Sequence, residues 1–176
     1  MQSSLALAEC RHLLTPQSET INLTIPRAIR YETTPLLPEY VDEIRRGGIN
    51  GDLRYLGPED RLGFIIDVRD GKLIDTSGRL LHGSYNFVMD ATGIIYANLN
   101  ANISLHHSCF LAGGPVAAAG SFEIYRGRLR RMDNQSGHYK PSWKLLKQSI
   151  NELTERGLDF TKVRVSIVNQ TPNFFN

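Results

Sequence analysis

Gly63-Phe64-Ile65-Ile66-Asp67-Val68-Arg69-Asp70-Gly71-Lys72-Leu73-Ile74-Asp75 is the stretch whose reading decides the fold. Gly63 to Val68 reads as a strand, and Lys72 to Asp75 reads as its return. Between them Asp70-Gly71 supplies a tight turn, because both residues tolerate positive φ. A hairpin of this kind needs no helical crossover, so it commits its surroundings to antiparallel pairing.

The same pattern recurs downstream. Ser77-Gly78 turns the chain again, and Tyr85 to Met89, Thr92-Gly93 and Ile94 to Asn98 form a second hairpin. Ile103 to Leu111 reads as a further strand. Ala117 to Tyr125, Arg126-Gly127 and Arg128 to Asp133 make a third hairpin. One helix follows: Pro141 suits its first turn, Trp143, Leu146, Ile150 and Leu153 recur at spacings of three and four, and Gly157 suits its C-terminal stop. Lys162 to Val168 is a last strand. The expected class is α+β, a twisted antiparallel β-meander of seven to nine strands with one main C-terminal helix packed on it.

Upstream, Pro16, Pro26, Pro35 and Pro38 hold the chain extended. Leu53 to Leu56 reads as a short strand. Residues 1–52 are thus expected to form an extended N-terminal arm, with a short helix from about Pro38 to Arg46 stopped by Gly47-Gly48. Residues 53–168 form the domain and 169–176 a tail. At 176 residues, 41% hydrophobic and 22% charged, the chain can bury one core without staples. No apolar run is long enough to span a bilayer, so no membrane role is expected. The start has no basic region, and no small-residue cleavage site of a Sec signal peptide. Cys10 and Cys109 make neither a disulfide framework nor a zinc quartet, which fits a soluble protein in a reducing compartment.

Chemistry concentrates between Leu105 and Pro141, which holds three of the five histidines. On a strand, His107 and Cys109 would share the face of Leu105, and His106 would point away. His138 precedes the helix start, where backbone N–H groups and Lys140 favour an anion, so His138 is a candidate acid or base. Each histidine also has a bland reading, as a hydrogen-bonded structural group. Gly113-Gly114-Pro115 and the small residues to Gly120 allow a ligand close to the backbone, or simply tight packing. Glu123 is a candidate carboxylate for a developing cationic centre, or a solvated strand acid. The spacing His106-His107-Ser108-Cys109 argues against a metal site. Arg126, Arg128, Arg130 and Arg131 with Lys140, Lys144 and Lys147 form a basic cluster. It lacks interleaved stacking residues, so nucleic acid is only weakly indicated, and the net charge of +2 adds little.

Tyr55-Leu56-Gly57-Pro58-Glu59, Arg61, Val68, Asp70-Gly71-Lys72-Leu73 and Ser77-Gly78 resemble a segment of the plant IQ-motif calmodulin-binding proteins, the IQM family. So do His107-Ser108, Phe110 to Gly114, Ala118-Ala119-Gly120 and Ser136-Gly137-His138-Tyr139 with Pro141. The pattern is also similar to C-terminal domains of bacterial secreted effectors and polymorphic toxins. No I-Q-x-x-x-R-G element is present, since Ile44-Arg45-Arg46-Gly47 lacks the Gln, so calmodulin binding does not carry over. Ser121 stands where the bacterial pattern carries Glu.

Two functions are therefore expected to compete. In the first, the chain is an effector or toxin-type enzyme that acts on a host or target-cell protein in the target cell's cytosol. It would transfer ADP-ribose from NAD, a co-substrate rather than a resident cofactor, or cleave RNA without metal. His107, His138 and Glu123 would be catalytic, and Ser108, Gly113, Gly114, Ser136, Tyr139 and Lys140 would bind substrate. In the second, the chain is a non-catalytic protein-binding module related to the IQM domain, and its histidines are structural.

Overall fold

A computed structural model describes residues 28–46, 53–100 and 105–168. The Asp70-Gly71 hairpin is present: β1 (Ile65–Arg69) and β2 (Lys72–Asp75) pair antiparallel, with Val68 opposite Leu73. Both turn residues have positive φ, 51° and 65°, as a two-residue hairpin with the native twist requires. β3 (Gly83–Met89) and β4 (Ile95–Leu99) form the second hairpin, and β5 (Ala118–Tyr125) and β6 (Arg128–Asp133) the third. In the second turn Asp90 accepts hydrogen bonds from the backbone N–H groups of Thr92 and Ile94, at 2.8 and 3.1 Å.

The seven strands do not assemble as a meander. Their order is β2-β1-β4-β3-β5-β6-β7, and β7 (Arg164–Ser166) runs parallel to β6. The sheet is therefore mixed, which corrects the all-antiparallel expectation. Two physical features explain the departure. Beyond β2 the chain folds back on itself, with Asp75 N–H bonding Arg79 O at 3.0 Å and Leu81 N–H bonding Leu73 O at 3.1 Å. That occupies the edge β3 would need, and the second hairpin instead pairs β4 with β1. At the other end a helix separates β6 from β7, and a helical crossover returns the chain parallel. The sheet also curls: Leu73 N–H donates to Gly127 O, in the β5–β6 turn, at 2.8 Å.

Alternation along the strands sends side chains to two cores. Tyr85, Phe87 and Met89 of β3 join Ala118, Phe122 and Ile124 of β5 on one face, under α3 (Trp143–Glu155). Phe87 and Phe122 stack with centroids 4.0 Å apart. The helix presents Leu145, Leu146, Ser149, Glu152 and Leu153 to the fold, and Trp143, expected on the apolar stripe, stands 39% exposed. Its end is a Schellman stop: Leu158 N–H bonds Leu153 O and Gly157 N–H bonds Thr154 O, both at 2.9 Å. Each fully buried Leu or Phe here contributes roughly 1.5–3 kcal/mol.

The opposite face carries the second core: Ile65, Val88, Tyr96 and Ala119, covered by Leu36, Leu56, Leu105, Cys109, Phe110 and Tyr139. Here the sequence reading needs two corrections. The described part of the Ile103–Leu111 segment is a helical turn, α2 (His107–Phe110), and not a strand. All four of its residues are buried. Leu53 to Leu56 joins no ladder, although Leu56 N–H bonds Cys109 O at 2.9 Å. The helix expected near Pro38 is present, as a 3₁₀ turn over Pro38–Tyr40 that runs into α1 (Val41–Arg46), while its Gly47-Gly48 stop lies outside the described residues. No described helix is long and apolar enough to cross a membrane.

Candidate functional site

Residues 34–46 form a strap across the second core. Thr34 bridges Val116 through paired backbone hydrogen bonds of 2.9 and 3.0 Å, and Leu37 N–H bonds His138 O at 2.9 Å. Tyr40 packs on the His138 ring with centroids 4.4 Å apart. One turn later Glu43 places Oε1 3.2 Å from His138 Nε2, with both side chains largely buried. The next residue, Ile44, seats its Cδ1 against Gly113, where an added Cβ would approach to 1.9 Å. The His138 ring also lies against His106, at 5.4 Å between centroids. The two histidine-bearing segments thus converge, and the residues that meet are His106 and His138, joined by Glu43.

His107 is separate. It is 8% exposed, and its Nε2–H donates to Gly120 O at 2.9 Å. Burial lowers its pKa from 6.5 to about 4, so the ring is neutral at physiological pH. A buried imidazole bonded to a carbonyl is a packing element. The strand reading put His107 inward for the wrong reason, and it turned His106 away. His106 is the extended N-cap of this turn and lies against His138, while His107, the first residue of the turn, is buried.

The other expected site residues scatter. Ser108 and Ser136 are buried, and Gly113 and Gly114 form the turn beneath Ile44, with Gly113 at φ +77°. Tyr139 is sealed in the core, its hydroxyl donating to Gly114 O at 2.8 Å, and burial raises its pKa. It has no face left for a nucleotide ring. Lys140 is exposed, at positive φ. Glu123 faces solvent on β5, 3.6 Å from Arg131. It lines a depression with Arg130, Arg131, Lys162 and Arg164, away from the histidine group. Two functional-type residues escaped the sequence reading: Glu43, whose partner lies ninety-five positions away, and His106. Nothing local to Asp42-Glu43 signals either contact.

A second polar network ties the strap's approach to α3. Arg156 bonds Glu152 Oε1 at 2.7 Å, Asp67 Oδ1 at 3.2 Å and Gly93 O at 2.6 Å. Tyr31 and Arg30 bond the other Glu152 oxygen. Burial works to raise the Glu152 pKa, but the Tyr31 hydroxyl and the Arg156 guanidinium more than offset it, and the net shift is downward.

With this geometry in place, the comparisons are specific. Residues 60–146 match the family described as the IQ motif-containing protein middle domain. IQ domain-containing protein IQM3 of Arabidopsis thaliana is 34% identical over 121 residues, covering 64% of this chain and 26% of that protein. IQM1 of the same plant is 34% identical over 128 residues, covering 70% of this chain and 26% of that protein. IQM4 is 33% identical over 129 residues, covering 70% and 24%. The chain therefore spans about a quarter of the length of the curated relatives it matches. No solved structure matches it significantly. These matches support the resemblance to the IQM domain. They overturn the expected effector or toxin enzyme, with its transferase and NAD chemistry, because the relatives are plant IQ domain-containing proteins.

Proposed function

We propose that this chain, as a relative of the IQ motif-containing middle domains, is a non-catalytic protein-binding module whose histidines serve the fold. The observation that carries this reading is the commitment of the imidazoles. His107 is spent on Gly120 O, and His138 is enclosed by Glu43, Tyr40 and the strap backbone. His107, bonded to Gly120 O and held neutral by burial, is not free to serve as an acid or base beside His138.

The contact surface in this reading is the basic face of β6 and β7. Arg130, Lys162 and Arg164 line shallow depressions there, and neither Arg130 nor Arg164 forms an ion pair with a described acidic group. Val165, in register with the buried Met132, faces the other side of β7 from Arg164. Arginines without a described acidic partner make a face that suits an acidic partner.

The test uses the immobilised full chain and extract from its source cells. A saturable protein partner should be retained at low salt and released as salt rises. The Arg130→Glu/Arg164→Glu double variant should lose that partner, and His138→Ala should keep it. Absence of any saturable partner, or retention unaffected by the charge reversals, would sink the reading.

A further inference from the structure

We propose that Glu43, His106 and His138 form a binding site for a single divalent transition-metal ion of the zinc class. One carboxylate oxygen and one nitrogen from each ring all lie within 4.8 Å of one another. Tetrahedral ligands at zinc distances of about 2.0–2.2 Å stand roughly 3.3–3.5 Å apart, so side-chain rotations alone could close the set. The proposal goes beyond the binding-module reading, and neither depends on the other.

A second observation points to a missing ligand. His106 Nδ1 is shielded from solvent and has no hydrogen-bond partner. A buried nitrogen without a partner is uncommon in a folded protein, and an unplaced ion is one of the ordinary explanations. We assign this nitrogen as the His106 ligand, with His138 Nε2 and the Glu43 carboxylate as the others. The chemistry of the donors selects the ion. Two imidazoles and a carboxylate suit zinc and its neighbours, whereas calcium and magnesium take oxygen sets. Three protein ligands leave the fourth position to water or to a donor from outside.

The backbone around each donor is already held. Cys109 N–H bonds His106 O at 3.0 Å, Leu37 N–H fixes His138, and Ile44 anchors the Glu43 turn on Gly113. The donors come from three separate segments, so the ion would staple the strap to the second core. Glu43 also lies outside residues 60–146, and the site is therefore assembled only when the strap is docked on the region shared with the relatives.

The experiment titrates ZnCl₂ into chelator-treated full chain, in a Cys10→Ser/His12→Ala background that removes ligands outside the described residues. Calorimetry should give one site per chain with proton release. CoCl₂ in its place should give a visible absorption band of a four- or five-coordinate centre. Glu43→Gln, His106→Gln and His138→Gln should each weaken zinc at least about tenfold. His82→Gln, on the surface away from the strap, should leave affinity unchanged. Circular dichroism shows which variants fold, and the cobalt band of the parent chain tests the site without any variant. Lack of saturable one-to-one binding, an octahedral cobalt spectrum, or folded Glu43→Gln and His106→Gln variants with parental affinity would overturn the proposal.

Discussion

Ile44 occupies the volume that a side chain on Gly113 would fill. An ideal Cβ there would stand 1.9 Å from Ile44 Cδ1, and Gly113 itself adopts φ +77°. The strap is thus keyed to a position that only glycine suits. Gly113→Val should therefore destabilise the chain by about 2–4 kcal/mol, from left-handed backbone strain together with overpacking. Urea unfolding measures the total. Hydrogen exchange should show faster opening of residues 36–46 than of β3, and equal protection of both would refute the lock.

The burial of His107 predicts a pH dependence, because desolvation lowers its pKa despite the bond to Gly120 O. The ring titrates near 6.5 when unfolded and near 4 when folded, so between those values the unfolded chain binds more protons. Stability should be fully present above about pH 6.5 and fall as pH drops toward 4, by up to about 3 kcal/mol from this residue. In His107→Leu that part of the acid slope should vanish. A parental slope in the variant would place the effect elsewhere.

Arg156 and Glu152 are 16% and 4% exposed at their side chains, and they share bonds with Asp67, Gly93 and Tyr31. Removing Arg156 leaves the buried Glu152 carboxylate with only Tyr31 and the half-exposed Arg30 to offset its charge. Arg156→Met should cost about 3–5 kcal/mol. Adding Glu152→Gln should recover part of the loss, giving a double variant more stable than the sum of the single changes predicts. Strict additivity in thermal unfolding would show that the groups do not act as one network.

Tyr139→Phe removes the hydroxyl that donates to Gly114 O and keeps the ring in the core. The loss should be about 1–2 kcal/mol of stability, with partner binding through the basic face unchanged. A drop in partner affinity without a drop in stability would return Tyr139 to a ligand-binding role.

How much could be read beforehand divides along sequence distance. The hairpins, the main helix and its Gly157 stop were legible, because Asp70-Gly71, Arg126-Gly127 and the helical spacing act over a few residues. The sheet order was not, since β1 pairs with β4 across about thirty residues and no local residue signals that pairing. The helical turn at His107 was misread as strand because a run of buried residues lacks a period that separates the two. The sequence reading placed His107 and His138 in one site, whereas the ring that lies against His138 is that of His106. Glu43 was invisible, because tertiary contact with His138 spans ninety-five positions.

The β1–β2, β3–β4 and β5–β6 pairs each close over a handful of residues, whereas β7 reaches β6 across a helix and the strap reaches His138 across most of the chain. Short loops close first, and the entropy of joining distant segments favours leaving them for later. The strap, early in the chain, is therefore fastened late in folding. Until then the surface that it covers, with both facing imidazoles, stays open to water, and a divalent ion could reach it before the fold is complete.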